Sequence, residues 1–357
     1  MQLFFDRYMS EPGCAEGHPD RDLVVLLEAV QAACKSIASL AAKGTLGASA
    51  RPKLGINVQG EVQMPLDLLA NDTIISFCEE SGRLAGMVSE EMAEPYRIPA
   101  AFKRGPYLLL FDPLDGSSNI AVDMTVGTIF SVLRAPAGVT DPAVDDFLQP
   151  GLRQVAAGYA LYGPATMMVM TLGSGVHGFT LDHDNRAFVL THPDLRIPEA
   201  AREFAINASN RRFWEEPVRC YVDECLQGAA GPRGIDFNMR WIASLVAEVH
   251  RILIRGGVFM YPRDSREPAR PGRLRLLYEA NPMAMIVEEA GGRASTGRER
   301  VLELVPQSLH QRVPLILGAR LEVERLHRYH SAFDRGDDVA FDTPRLHRRS
   351  LFRSGQG

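Results

Sequence analysis

Apolar positions along this chain recur at two spacings, near 3.6 and near 2, and their interleaving predicts an α/β protein. A first helix is expected over residues 22–43, with Leu23, Leu26, Leu27, Val30, Cys34, Ile37 and Leu40 on one face. Asp20 or Asp22 can cap its start and Gly44 can end it. Residues 44–60 are Gly-rich and polar, as in a mobile loop. A second helix is expected over 66–81, turning Leu66, Leu69, Ile74 and Phe77 inward. Asp67 falls in its first turn, where negative charge is favourable. Asp72 is rotated about 140° from Asp67 on such a helix, so the two acids should not share one ion.

Strands are expected at 84–88, 107–111, 124–134, 155–161, 167–172 and 178–181, with a Pro- and Asp-rich loop at 135–150. Polar composition over 182–196 and the pair His192-Pro193 place a domain junction near Pro198. Beyond it come a strand at 204–207, a polar cluster at 207–212, a helix at 218–227 and a Gly/Pro loop at 228–234. A largely apolar helix over 240–250 and a break at Gly256-Gly257 precede a strand at 258–261. An exposed Arg/Pro-rich hairpin is expected at 262–272. Alternation over 273–279 puts Arg273, Arg275, Leu277 and Glu279 on one strand face. Asn281-Pro282 starts a helix that Gly291-Gly292 ends, followed by a strand at 313–317 and a helix at 322–330. The reading gives an N-terminal α+β domain over 1–197, an α/β domain over 198–333 and a polar, weakly ordered tail over 334–357.

Composition narrows the function classes. At 357 residues the chain has room for two ordinary domains or one large α/β unit. Hydrophobic content of 46%, charged content of 23% and net charge −5 are those of a globular protein without a basic surface for nucleic acid. No apolar run approaches the roughly 18 residues of a membrane helix, and residues 1–10 lack the pattern of a signal peptide. Five cysteines, an odd number without metal-type spacing, fit a reducing cytoplasm. Cys220 and Cys225 fall in one helix as packing residues, with a redox pair as the alternative.

The chemistry concentrates in Tyr107-Leu-Leu-Leu-Phe-Asp-Pro-Leu-Asp-Gly-Ser-Ser-Asn119. Five apolar residues make a buried strand, which Asp112 and Asp115 close with Pro113 between them. Gly116-Ser117-Ser118-Asn119 then offers backbone N–H groups and hydroxyls that can cradle an anion. Carboxylate oxygens beside an anion cradle suit Mg2+ or Mn2+ holding a phosphate ester. An Asp-Pro turn that caps a helix through Ser117 or Ser118 would look similar. The functional reading gains from Glu90-Glu91 at the end of another strand and Glu279 at a further strand-to-helix corner.

The run Phe111-Asp-Pro-Leu-Asp-Gly-Ser-Ser-Asn-Ile120 resembles the signature of class I fructose-1,6-bisphosphatases, within the Mg-dependent, lithium-sensitive sugar phosphatases. Ala156-Ala-Gly-Tyr-Ala-Leu-Tyr-Gly163, Gly256-Gly-Val-Phe-Met-Tyr-Pro262, Leu274-Arg-Leu-Leu-Tyr-Glu-Ala-Asn-Pro-Met-Ala284 and His310-Gln-Arg-Val-Pro-Leu-Ile-Leu-Gly318 carry the same resemblance, in family order. It implies a layered αβαβα sandwich with two mixed sheets, two or more Mg2+ (or Mn2+) per subunit, a sugar bisphosphate substrate, a homotetramer and a cytoplasmic place in gluconeogenesis or the Calvin cycle. It makes Glu90, Glu91, Asp112, Asp115 and Glu279 metal ligands with the carbonyl of Leu114, adds Asp67 to the metal-site acids, and gives Glu91, helped by Asp67, the role of base. Asp115, Gly116, Ser117 and Ser118 would hold substrate at the 1-phosphate. Asn207, Tyr261, Arg273 and Arg240, the last from a neighbouring subunit, would hold the sugar and distal phosphate.

The chain departs from that pattern at several positions. Glu61 stands for an aspartate of the mobile loop, Arg273 for a lysine, Trp241 for a phosphate-binding tyrosine and Asn210 for another tyrosine. Asp20-Arg-Asp-Leu-Val24 replaces the helix start that binds AMP in responsive members, and Pro106 replaces a lysine, although Tyr107 and Arg134 remain. Weak or absent AMP inhibition is expected. The regulatory cysteine insert of the chloroplast enzymes is missing, which argues against thioredoxin control. Activity on sedoheptulose 1,7-bisphosphate, alone or in addition, is the close alternative. A non-catalytic regulatory protein on this fold is the alternative of another class.

Overall fold

A computed structural model describes residues 21–44, 65–199, 201–266 and 272–337. Helices α1 (Arg21–Ala41) and α2 (Pro65–Glu79) come first. Then follow β1 (Leu84–Ser89), β2 (Tyr96–Arg97), β3 (Tyr107–Asp115), β4 (Val126–Arg134), β5 (Gln154–Tyr162), β6 (Thr166–Thr171), β7 (Val176–Asp182) and β8 (Ala187–His192). These form one sheet in the order β2-β1-β3-β4-β5-β6-β7-β8, parallel at β1/β3 and antiparallel elsewhere.

The second half supplies β9 (Glu203–Ala205), α3 (Glu216–Leu226), β10 (Asn238–Met239), α4 (Leu245–Arg255), β11 (Val258–Tyr261) and β12 (Leu274–Arg275). After these come α5 (Asn281–Glu289), β13 (Arg293–Ser295), β14 (Arg312–Val313), β15 (Leu315–Gly318) and α6 (Arg320–Arg335). A second mixed sheet has the order β10-β9-β11-β15-β13, and β12 pairs with β14 in a ladder of its own.

Side-chain alternation in the strands sets the layers. In β3, Tyr107, Leu109 and Phe111 join a core with α1 and α2, whereas Leu108 and Leu110 enter a separate cluster with Phe147 and Tyr278. A strand buried on both faces shows as an unbroken apolar run, which is why 107–111 stood out. On the other face of the sheet, Ile129, Ala157 and Tyr159 meet Val246, Val249, Met283 and Ile286 of α4 and α5. Phe259, Leu315 and Leu317 of the second sheet close that same core. Ile316, between them in sequence, points the opposite way toward Tyr221 of α3 and Tyr329 of α6. The order is therefore α1/α2, sheet, α4/α5, sheet, α3/α6, the expected αβαβα sandwich. Gly127 permits one of these contacts: a Cβ there would lie 2.5 Å from the Ala160 carbonyl oxygen and 2.7 Å from Val246 Cγ1.

Several expectations need correction. By length and composition α1 is apolar enough to cross a membrane, contrary to the expectation of no such run, but its apolar face is buried against α2 and the first sheet. Phe77, expected inward, is 42% exposed. Residues 187–192, read as polar junction, form β8: Phe188 is buried in the core and Val189 is buried on the opposite face, a short apolar run hidden among polar neighbours. The helix expected over 240–250 begins only at Leu245, because Ser244 caps it by accepting from Ala247 N–H at 3.3 Å. Arg240 and Trp241 therefore lie before the helix, after β10. The strand expected over 273–279 stops at Arg275 and becomes a π-helical turn, Leu276–Ala280, that runs straight into α5. Asn281 is thus not the helix cap. The strand at 313–317 divides at Pro314, which cannot donate to a ladder, and its two parts join different sheets. Most of the loop expected at 44–60, with Glu61, Asp20 and most of the tail, lies outside the described residues.

Candidate active site

Three carboxylates converge at the end of the first sheet. Glu90 follows β1, Asp112 lies in β3 and Glu279 lies in the π-helical turn; one ligand atom of each falls within 4.8 Å of the others. The parallel pairing of β1 with β3 brings the first two together, since Ser89 is opposite Phe111 and the Glu90 N–H donates to the Phe111 carbonyl at 3.1 Å. Glu279 is delivered by the turn rather than by a strand face: its Oε2 accepts from the Arg275 N–H at 2.6 Å. Arg275 Nη1 lies 2.6 Å from Glu90 Oε1 and 3.8 Å from Glu279 Oε2, so one guanidinium serves two of the acids. The alternation did place Arg275 and Glu279 together, for the wrong reason: four residues apart they meet across a helical turn.

The chain does not leave the sheet at Asp112. β3 continues to Asp115 through an irregularity in its pairing with β4 between those two acids. Asp112 Oδ1 accepts from the Leu114 N–H at 2.9 Å, which shapes this bulge and fixes Leu114 beside the acids. Asp115 turns toward α4. Its carboxylate accepts from Ser244 Oγ at 2.7 Å, Leu245 N–H at 3.2 Å and Val246 N–H at 2.9 Å. A carboxylate at a helix N-terminus is well placed electrostatically, and here it ties the first sheet to the middle layer. These α4 residues were not anticipated; the only signal was Ser244 ahead of an apolar run.

Gly116 is left-handed, with φ 72°, and precedes a 3-10 helix, Ser117–Val122. Its missing Cβ admits Ser244, whose Cβ would otherwise be 2.9 Å away. No side chain caps this turn, so the capping role considered for Ser117 or Ser118 is not seen. Ser117 is half-buried and Ser118 exposed. Asn119 is buried and donates to the carbonyls of Thr125 and Ile242, each at 3.1 Å, locking the loop onto the segment before α4. Asp67 is buried in the first turn of α2, and Asp72 is exposed on the other side. Glu91 is half-buried, its N–H donating to Ser89 Oγ at 3.2 Å.

The electrostatics fit a cation. Burial, then the neighbouring Glu279, pushes the Glu90 carboxyl well above the usual carboxylate range against the pull of Arg275. Burial, then Glu90, Asp115 and Glu279, does the same to Asp112. Burial pushes Glu279 up to about 7, with Arg275 opposing. Burial also raises Asp115, although its hydrogen bonds from α4 resist. Glu90 Oε2 is buried and has no hydrogen-bond partner among the described residues. Crowded buried oxygens that repel one another, one of them without a donor, match what a hard divalent cation binds.

At the distal end Asn207, Asn210 and Tyr261 line one small cavity with Trp214 and Asp264. Asn207 Oδ1 accepts from Ser209 Oγ at 2.6 Å, so that amide is already engaged. Trp241 stacks on Phe259 with centroids 6.0 Å apart and an interplanar angle of 4°, and its ring also lies 6.0 Å from that of Tyr261. Arg240 is half exposed and faces Glu203 of its own chain, Nε to Oε1 3.7 Å. Arg273 is half-buried and its carbonyl accepts from Arg312 Nη1 at 3.2 Å. Cys34, Cys78 and Cys225 are buried and Cys220 half-buried; all are free thiols, and burial pushes the Cys220 thiol up to about 11.

Comparison with known proteins agrees with this geometry. The family model for the fructose-1-6-bisphosphatase N-terminal domain matches residues 6–193, and that for the C-terminal domain matches 197–331. The class 1 fructose-1,6-bisphosphatase of Methylacidiphilum infernorum is 58% identical over 339 residues, covering 95% of each chain. That of Hydrogenophilus thermoluteolus is 61% identical over 333 residues, covering 93% of this chain and 92% of its own. The solved fructose-1,6-bisphosphatase of Leishmania major, in holo form, has a TM-score of 0.81 at 37% identity, covering 88% of this chain and 95% of that one. The chain belongs to the class 1 fructose-1,6-bisphosphatase family.

Proposed function

We propose that this chain hydrolyses the 1-phosphate of fructose 1,6-bisphosphate, giving fructose 6-phosphate and inorganic phosphate, with Mg2+ at the acidic cluster. The observation that carries the reading is the convergence of Glu90, Asp112 and Glu279 within 4.8 Å in a chain of this family. Glu90, Glu91, Asp112, Asp115, Glu279 and the Leu114 carbonyl would hold the cations, with Mn2+ as a substitute. When bound, these supply charge neutralisation for the ester and a more acidic water. Glu91 and Asp67 accept the proton of the attacking water. Gly116, Ser117 and Ser118 orient the 1-phosphate through N–H and hydroxyl groups. Asn207, Tyr261, Arg273 and Arg240 take the sugar and distal phosphate. Water oxygen joins phosphorus, the bond from phosphorus to the sugar oxygen breaks, and that oxygen leaves with a proton.

A homotetramer in the cytoplasm, serving gluconeogenesis or the Calvin cycle, is proposed on the family resemblance. The half-exposed Arg240 is consistent with a residue that can serve a neighbouring subunit, and light scattering would test the assembly. The deciding assay measures phosphate released from fructose 1,6-bisphosphate and from sedoheptulose 1,7-bisphosphate at equal concentration, with Mg2+ and with chelator. Release from the fructose ester that needs Mg2+ is expected. No release by folded protein, or release unaffected by chelation, would sink the proposal.

A further inference from the structure

The motif beginning at His310 has no part in the chemistry above, yet its first residue touches both turns that bring the acids together. Ser89, Glu90, Glu91 and Met92 form a tight turn, closed by Met92 N–H donating to the Ser89 carbonyl at 3.2 Å. His310 Nε2 lies 2.9 Å from the Met92 carbonyl oxygen. A carbonyl can only accept, so Nε2 carries the hydrogen. The imidazole also packs on Tyr278, centroids 5.4 Å apart, and Tyr278 precedes Glu279 in the π-helical turn. Adjacent residues reinforce the second contact: Leu276 N–H donates to the Gln311 carbonyl at 2.8 Å, and Arg275 is opposite Arg312 in the β12/β14 ladder.

We infer that His310 is a positioning residue for the metal site, pinning the Glu90–Glu91 turn to the turn that carries Glu279. The acids need such a hold. Like charges this close in a buried site repel one another strongly. The Phe111 carbonyl holds the Glu90 N–H, and the backbone beyond that bond, from Glu91 to Met92, is the part that His310 secures. Arg275 restrains the Glu90 side chain, whereas His310 restrains the backbone behind it. Supporting contacts of this kind typically change metal affinity about 10- to 100-fold when lost.

The inference rests on the proposed metal site, so the test reads metal binding directly. Mn2+ affinity of the full chain without sugar would be measured by electron paramagnetic resonance titration for wild type, His310→Leu and His310→Gln. Leucine keeps apolar volume against Tyr278 and removes the donor; glutamine restores an N–H donor without the ring. We expect His310→Leu to bind Mn2+ about tenfold more weakly and His310→Gln to stay within about threefold of wild type. Fructose 1,6-bisphosphate KM at saturating metal should be nearly unchanged in both. Wild-type affinity in folded His310→Leu overturns the inference, as does a tenfold loss in His310→Gln; the latter also decides it if the leucine variant does not fold. Failure of wild type itself to bind Mn2+ would instead overturn the metal-site reading.

Discussion

Asp112 pays for its position in stability. It is buried, and its carboxyl is raised by burial and by Glu90, Asp115 and Glu279. Replacing it with asparagine keeps the shape and removes one of the repelling charges. Asp112→Asn should therefore lower Mg2+-dependent turnover by about 100-fold or more while raising the melting temperature of chelated protein by about 2 °C. A variant that loses activity and also melts earlier without metal would contradict this. The same repulsion predicts a pH dependence. The Glu279 carboxyl sits at about 7 in the folded chain against 4.5 for the free group, so the folded, metal-free state binds the extra proton. Its contribution to stability is present at acidic pH and falls as pH rises from 4.5 through about 7. Mg2+ competes with that proton, so the melting-temperature gain on adding Mg2+ should be larger at pH 8 than at pH 6. An equal gain at both pH values, measured by scanning fluorimetry, would show that these protons are not displaced.

Elements place these residues, and one junction carries visible strain. Ala243, between β10 and α4, has φ 61°, a conformation that costs a residue with a Cβ about 1 kcal/mol or more. It is held on both sides: Glu248 Oε1 accepts from Ile242 N–H at 2.6 Å, and Ser244 donates to Asp115. Ala243→Gly should raise unfolding free energy in urea by about 0.5 kcal/mol, the strain relief exceeding the added chain entropy. A lower value would show that entropy dominates. The start of α1 gives a regulatory expectation. Asp22 lies in its first turn, where an incoming phosphate would seek N–H groups, and is paired with Arg83 Nε at 3.0 Å. AMP at about 1 mM should inhibit less than twofold, since a like charge at that helix end opposes phosphate binding. Strong inhibition at micromolar AMP would refute this. Elements with one clear period were legible in the sequence: α1 from its 3.6 spacing, β3 from its apolar run. Those set by competition between local and tertiary bonds were not. The segment from Arg273 to Glu279 alternates like a strand, yet the Arg275 N–H bonds to the Glu279 side chain and the chain coils. Likewise the apolar residues around Trp241 suggest helix, while Trp241 stacks on Phe259 and the helix waits for Ser244. The acids themselves were legible because strand ends advertise them; Arg275 and Ser244, which hold them, look like ordinary residues until their partners are known.

At the scale of the molecule, the candidate site joins the two halves of the chain. Glu90 and Asp112 come from the first sheet, and Glu279 comes from the turn into α5 in the middle layer. A cation bound by all three would add a second link to the one that Arg275 makes between Glu90 and Glu279. The outer helices α3 and α6 share a different core, Val218, Tyr221, Val222, Leu326 and Tyr329, and contribute none of these acids. Hydrogen exchange should record that difference. A ligand at ten times its Kd stabilises the bound state by about 1.4 kcal/mol, slowing opening-limited exchange about tenfold. Adding Mg2+ should therefore slow amides in residues 89–92 and 274–281 together, by about tenfold, and leave α3 and α6 within about twofold. Protection confined to 89–92 would place the ion on the first sheet alone. Equal slowing everywhere would mean that the metal acts only through global unfolding. Joint protection of the two turns is the outcome required if the acids from both halves close on the same ion.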